Sequence, residues 1–307
     1  MESTGNTRLF HDAAIEHVGR VAVVNPSQFK VISQSVKKTD KNDAELLALY
    51  LAKGLMPEVR IKERKQREMS HLAQTRDLLV KQRSALKAKI NNLLSAEGIN
   101  LKREALSSNK ALERVLALPL SPLMRAEACV LVGQIRGLNQ SIGELEELIE
   151  EEGPKFAGHA NLMSIKGIGS VSAAVLLSVI GDIHDFSDAG KLAAYLGLVP
   201  RVQNSNETEH SGRITKQGNK LARTCLVQCA LVAKRYSSFL QNFYQRIQRR
   251  RGGGKANIAL ARKFLGVIYH SLKKQLGVRR LPQLRPGLLK TGQNLTLSRQ
   301  LFMGVRI

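Results

Sequence analysis

The chain has 307 residues, three cysteines, and a formal net charge of +23 from 48 Lys and Arg against 25 Asp and Glu. That length allows two or more domains with a sizeable core. No run approaches about 18 continuous apolar residues and no basic-then-apolar leader opens the chain, which excludes a membrane-spanning class and predicts a soluble, cytoplasmic protein. Cys129, Cys225 and Cys229 have neither a paired framework nor metal-ligand spacing, which excludes a disulfide scaffold and a zinc module.

The charge is unevenly placed. No Asp or Glu follows Glu209, while 21 Lys and Arg lie between Arg213 and Arg306. A folded segment so charged repels itself, so a polyanionic partner is implied. The basic residues alternate with long apolar stretches, which argues against a purely solubilising tail.

In chain order, residues 17–34 read as strand, turn, strand: Val21 to Val24 form a β-branched run, Asn25-Pro26 ends it, and Phe29 to Ile32 resume it. Asp43 then opens a helix that stops at Gly54. Strand followed by helix makes residues 1–61 an α/β segment. From 62 to 152 the pattern is helical and charged. Leu72, Leu79, Leu86 and Leu93 recur every seven residues. Beyond Pro119 and Pro122, Leu131, Ile135, Leu138, Ile142, Leu145 and Leu148 step by three and four. This spacing predicts an antiparallel coiled-coil arm, serving for dimerisation or packing on its own domain. Residues 153–277 read as a compact helical region, and 278–307 as an extended, basic tail rich in Pro, Gly and Arg.

Three motifs could carry chemistry. Ile165-Lys166-Gly167-Ile168-Gly169 precedes an apolar helix, as in a helix-hairpin-helix element. Lys166, Gly167 and Gly169 would there bring backbone amides to a phosphate, unless the segment is a plain turn between core helices. Asp40 and Asp43 in Lys38-Thr39-Asp40-Lys41-Asn42-Asp43-Ala44 place two carboxylates one helical turn apart. They could help hold Mg²⁺ or Mn²⁺, or either could simply cap the helix. Gly197 to Lys220 is a polar stretch that reads as a loop, with Ser205 and Ser211 as candidate nucleophiles. Arg201, Arg213, Lys216 and Arg223 surround them in sequence as candidate phosphate ligands, and Arg249, Arg250, Arg251 and Lys255 extend the basic set.

At these motifs the chain resembles the insertion-sequence-110 family of transposases, the bridge-RNA-guided recombinases. The blocks run in order over nearly the whole chain: Glu2-Ser3-Thr4-Gly5, Val24-Asn25-Pro26, Lys38 to Ala44, Ala194-Tyr195-Leu196-Gly197-Leu198-Val199-Pro200, and Gly212-Arg213-Ile214-Thr215-Lys216-Gln217-Gly218-Asn219. The resemblance implies a mixed architecture of α/β and all-α parts. These are a partial RuvC-like domain of RNase H type (1–61), a helical arm (62–152), and a C-terminal serine transposase domain (153–277) with its tail. It implies that Glu2, Asp40 and Asp43 bind Mg²⁺ or Mn²⁺. It also implies that a serine attacks DNA, with DNA and a structured guide RNA as partners in a homodimer or higher oligomer. The distance to Gly218-Asn219 selects Ser205 as nucleophile. Ser211, followed by Gly212 as is usual in the family, is the alternative. The family's first acid lies on a strand upstream of its Glu-x-Thr-Gly segment, and this chain opens at Met1-Glu2. That predicts an N-terminally truncated copy with three acids of four. Two other readings follow: an inactive nucleic-acid-binding remnant, and a Holliday-junction nuclease or binder.

Overall fold

A computed structural model describes residues 1, 3–25, 29, 39–101, 106–205 and 208–274. It is mostly helical with one small two-stranded sheet, and divides into two compact units, Met1–Arg64 and Lys65–Ile307. Among the described residues, no helix is long and apolar enough to cross a membrane.

The first unit is built around the extended segment Ala22–Val24, which is buried. On one flank the Val24 N–H donates to the Met1 carbonyl (2.9 Å) and the Ser3 N–H donates to the Val24 carbonyl (2.7 Å), the pattern of a parallel pairing. On the other flank the Val59 N–H donates to the Val23 carbonyl (2.7 Å), and Val24 bridges Glu58 antiparallel. Helix α1 (Thr7–Ile15), not anticipated from the sequence, has no buried residue. Helix α2 (Asp40–Ala52) starts three residues before the expected Asp43. Its Leu47 and Tyr50 pack with Met56 on Val24 and Phe29, and the Phe29 and Tyr50 rings meet edge-on with centroids 5.0 Å apart. The strand expected to resume at Phe29 lies outside the described residues apart from Phe29 itself.

The second unit opens with α3 (Arg64–Ala96), followed by α4 (Asn109–Leu116) and α5 (Pro122–Glu152). The sequence pattern placed both long helices, but the buried seam differs from the leucine heptad. Leu72, Leu79, Leu86 and Leu93 are only partly buried, while Met69, Ala73, Ile90 and Leu94 are buried. On α5 the seam is Ala128, Val132, Ile135, Ile142 and Ile149. Its two gaps hold polar pairs. Arg76 donates to Glu146 (2.7 Å through Nε) and Arg83 donates to Asn139 (2.8 Å). Seven residues forward on one helix answer seven back on the other, as antiparallel pairing requires. At the far end Leu106, Leu112, Val115 and Leu120 close a separate core over Ile90, Leu94 and Val132. At the root Met69 and Ile149 pack on Ala174, and the Ser70 hydroxyl donates to the Ser178 carbonyl (3.2 Å).

The rest of the unit is a helical domain: α6 (His159–Met163), α7 (Ser170–Ile180), α8 (Ala189–Tyr195), α9 (Lys220–Ala233), α10 (Ser238–Arg251) and α11 (Gly253–Lys273). Helices α7 and α11 are its centre, with Leu176, Ile180, Leu260, Phe264 and Ile268 fully or almost fully buried against Leu192, Leu196 and Leu226. One insertion breaks the helical pattern. The stretch read as a polar loop is an antiparallel hairpin, β1 (Pro200–Ser205) and β2 (Thr208–Ile214).

Candidate functional site

The N-terminal carboxylates sit at the start of α2. Thr39 caps that helix, its hydroxyl accepting from the Asn42 N–H (3.3 Å), so neither aspartate is needed for capping. Asp40 is exposed and Asp43 is half-buried. Asp43 Oδ1 is shielded from solvent and has no hydrogen-bond partner among the described residues. A carboxylate oxygen in that state is available to a ligand, and a hard divalent cation takes such oxygens. The fit is partial. Glu2 lies outside the described residues, and among the described residues no cluster of three or more His, Cys, Asp or Glu forms.

The hairpin carries both candidate serines. Ser205 ends β1 opposite Thr208, and Ser211 lies within β2 opposite Val202. Because residues alternate between the faces of a strand, this register puts positions 205 and 211 on opposite faces of the ribbon. They are also separated by three residues along it, on the order of 10 Å. Arg201, at an irregularity in the ladder, and Arg213 are both exposed near the base.

That base is locked by two glycines. Gly197 and Gly218 have φ of +68° and +87°. A Cβ on Gly197 would lie 2.0 Å from the Gln217 carbonyl oxygen, and one on Gly218 would lie 2.1 Å from that of Tyr195. The two chain segments cross at backbone distance. Arg223 ties the crossing together, its Nη1 donating to the carbonyls of Leu196 (3.1 Å), Gln217 (3.0 Å) and Gly218 (3.2 Å). Partial burial lowers the pKa of its guanidinium. Arg223, expected among the phosphate ligands, therefore has a scaffold role that sequence distance did not reveal. Lys216 is exposed with φ +55°, a strained value for a residue with a side chain, and its N–H donates to the Gly197 carbonyl (3.2 Å). Asn219 caps α9 by accepting from the Ala222 N–H (2.9 Å).

The remaining candidates lie on the helical domain. Lys166 is exposed in the turn between α6 and α7. Gly167 has φ +103°, and a Cβ there would come within 2.7 Å of the Ala233 nitrogen and 2.8 Å of the Cys229 carbonyl oxygen, so it is needed for close packing on α9. Gly169 begins α7 without a side-chain cap and has open space around it. Arg249, Arg250 and Arg251 are exposed in the last turn of α10, where positive charge also suits the helix dipole. Across Gly252, α11 starts without a side-chain cap and exposes Lys255.

Two stretches of the chain match transposase families. Residues 159–245 match the family described as "Transposase IS116/IS110/IS902 family", and residues 1–97 match the DEDD_Tnp_IS110 family, described as "Transposase". The chain is 30% identical over 260 residues to the "Transposase for insertion sequence element IS1111A" of Coxiella burnetii, covering 82% of this chain and 71% of that protein. It is 30% identical over 290 residues to the "Pilin gene-inverting protein" of Moraxella bovis, covering 89% and 79% respectively. The "Probable family 20 transposase" of Pseudomonas aeruginosa is 28% identical over 250 residues, covering 78% and 73%. The chain belongs to the IS110 family of transposases.

Proposed function

We propose that the chain is a DNA transposase that cuts and rejoins DNA through a covalent serine–phosphodiester intermediate, with its DNA partners chosen by pairing to a structured RNA. The observation that carries this reading is the hairpin. A serine-bearing ribbon stands within the segment that matches the family, on a base pinned by interlocked glycines, with exposed Arg201 and Arg213 beside it. A nucleophile needs such a fixed base, since misplacement by about 1 Å costs on the order of 100-fold in rate.

In the reaction Ser205 Oγ gives up its proton and forms a bond to phosphorus. The bond from phosphorus to the leaving sugar oxygen breaks, and that oxygen takes the proton. Attack by a sugar hydroxyl of the partner strand then releases the serine, so the phosphodiester is conserved. Arg201 and Arg213 serve to neutralise the phosphate. A divalent cation, Mg²⁺ or Mn²⁺, would when bound act as a Lewis acid toward phosphate oxygens. Asp40 and Asp43 would hold it together with Glu2, and the unpartnered oxygen of Asp43 supports that assignment. The pairing of Ala22–Val24 on both flanks supports an RNase H type ancestry for the first unit. The turn at Lys166–Gly169 would act as a helix-hairpin-helix contact to the backbone of DNA. The arm would join copies of the chain, for which exposed Leu123 and Val130 on α5 provide apolar surface.

The test is covalent trapping of labelled donor DNA with structured RNA and Mg²⁺. Ser205→Ala should abolish the protein–DNA adduct and Ser211→Ala should preserve it, while Asp43→Asn should lower its yield by at least about 100-fold. An adduct formed by Ser205→Ala as well as by wild type overturns the nucleophile assignment. Junction cleavage that survives loss of both serines replaces the reading with a metal-dependent nuclease.

A further inference from the structure

Helices α10 and α11 pack together, and Leu240, Tyr244 and Ile247 of one and Ala256, Leu260 and Phe264 of the other belong to the same buried core. On the flank of this pair, Phe239, Phe243 and Arg246 follow at steps of four and three, so they share one face of α10. Phe239 is 37% exposed, so this face is open to solvent at one end. Across from them, Lys263 on α11 sets its Nζ 4.8 Å from the Phe239 ring centre and 4.7 Å from that of Phe243. The Arg246 guanidinium lies 5.6 Å from the same Phe243 ring.

Two cations thus share one aromatic platform. Each is attracted to the negative face of a ring. Yet they repel one another, and burial works against a charge on Lys263. Burial first, and then the positive charge of Arg246, push the Lys263 ammonium down to about 8. The segment from His210 to Ile307 contains no Asp or Glu. Two cations side by side on an apolar support concentrate positive potential, which suits an anionic ligand.

We propose that Lys263 and Arg246, set on the Phe239–Phe243 platform, bind a phosphodiester group of a nucleic-acid backbone. The inference rests on the nucleic-acid reading above and adds to it a site outside the serine hairpin, one helical turn before Arg249 and Arg250 on α10. The rings exclude water beside the phosphate, so each charge-assisted contact is screened less than on an open surface. Lys263 lies over the ring faces, which favours the phosphate rather than a stacked base as its ligand. The contact is blind to sequence, and duplex DNA and structured RNA both offer its chemistry.

The full chain would be titrated with labelled duplex DNA and, separately, labelled structured RNA over a range of salt. Lys263→Met and Arg246→Gln should each weaken binding several-fold and reduce the slope of log K against log salt by about 1, with Lys263→Arg restoring both. The polymer that shows the effect is the one seated there. Lys263→Met should also hold or raise the melting temperature, because it removes a crowded, half-buried charge while keeping the stem on the rings. Unchanged affinity and slope on both polymers overturn the site. So does weaker binding accompanied by a fall in melting temperature, since that marks Lys263 as a packing residue. If wild type binds both polymers while the variants match it, only this site fails; if wild type binds neither, the parent reading fails with it.

Discussion

A methyl group at Gly218 has nowhere to go: the Tyr195 carbonyl oxygen is 2.1 Å from where it would stand, and the backbone is already in the left-handed region. Gly218→Ala should therefore destabilise the protein by at least about 2 kcal/mol, combining backbone strain with a displaced contact. Equilibrium unfolding in urea reads this as a lower midpoint at unchanged slope. A loss of a few tenths would mean that the crossing can open without disturbing the core. Both glycines stood out in the sequence, within two blocks about 20 residues apart. That they interlock did not, because periodicity describes one segment at a time and the contact joins two. The structural role of Arg223 was hidden for a related reason: only the fold brings its guanidinium to three backbone carbonyls.

Among the elements, the arm separates what pattern reveals from what it hides. Both long helices follow from composition and spacing, and their ends fall within a few residues of expectation. The seam was misassigned because its middle is polar. Arg76 and Arg83 occupy positions where a search for apolar repeats finds nothing, so the adjacent leucines took their place. Polar layers of this kind cost stability and set register: sliding one helix by a heptad would bring Ile90 opposite Asn139 and leave Arg76 without its acid. Arg76→Leu alone should cost about 1 kcal/mol by stranding a partly buried Glu146, whereas Arg76→Leu with Glu146→Leu should recover that loss or exceed it. A double-mutant cycle by urea unfolding measures the difference, and additive losses would show that the pair is uncoupled. The hairpin was hidden by the opposite circumstance. Its residues are polar on both faces, so the alternation that marks a half-buried strand is missing. Helix α1 escaped notice because its nine residues are too few for the apolar stripe of Leu9, Phe10, Ala13 and Ala14 to stand out as a period.

For the molecule as a whole, the acid-free C-terminal stretch is mostly a folded domain as far as Lys274, and the charge is carried on the outside of well-packed helices. Composition alone indicated a polyanionic partner, and the helical domain now shows where the cations stand: on the hairpin base, at the end of α10, and beside the paired phenylalanines. Pro200, Arg201, Arg213 and Ile214, at the foot of the ribbon, lie outside the buried core of this domain. Val199 and Thr215, where the ribbon leaves and returns, are joined by one backbone hydrogen bond of 2.9 Å. Pro200–Ile214 can accordingly be cut out and its ends bridged by a two-residue turn, shortening the excursion and lowering the entropy of closing it. Such a deletion should keep the helical circular dichroism and the melting temperature of the full chain while abolishing the DNA adduct. A collapse of the helical signal would show that the ribbon helps the domain fold. If it does not, the ribbon is an exchangeable part, and ribbons from other members of the family could be grafted at the same two residues to change the chemistry without rebuilding the core.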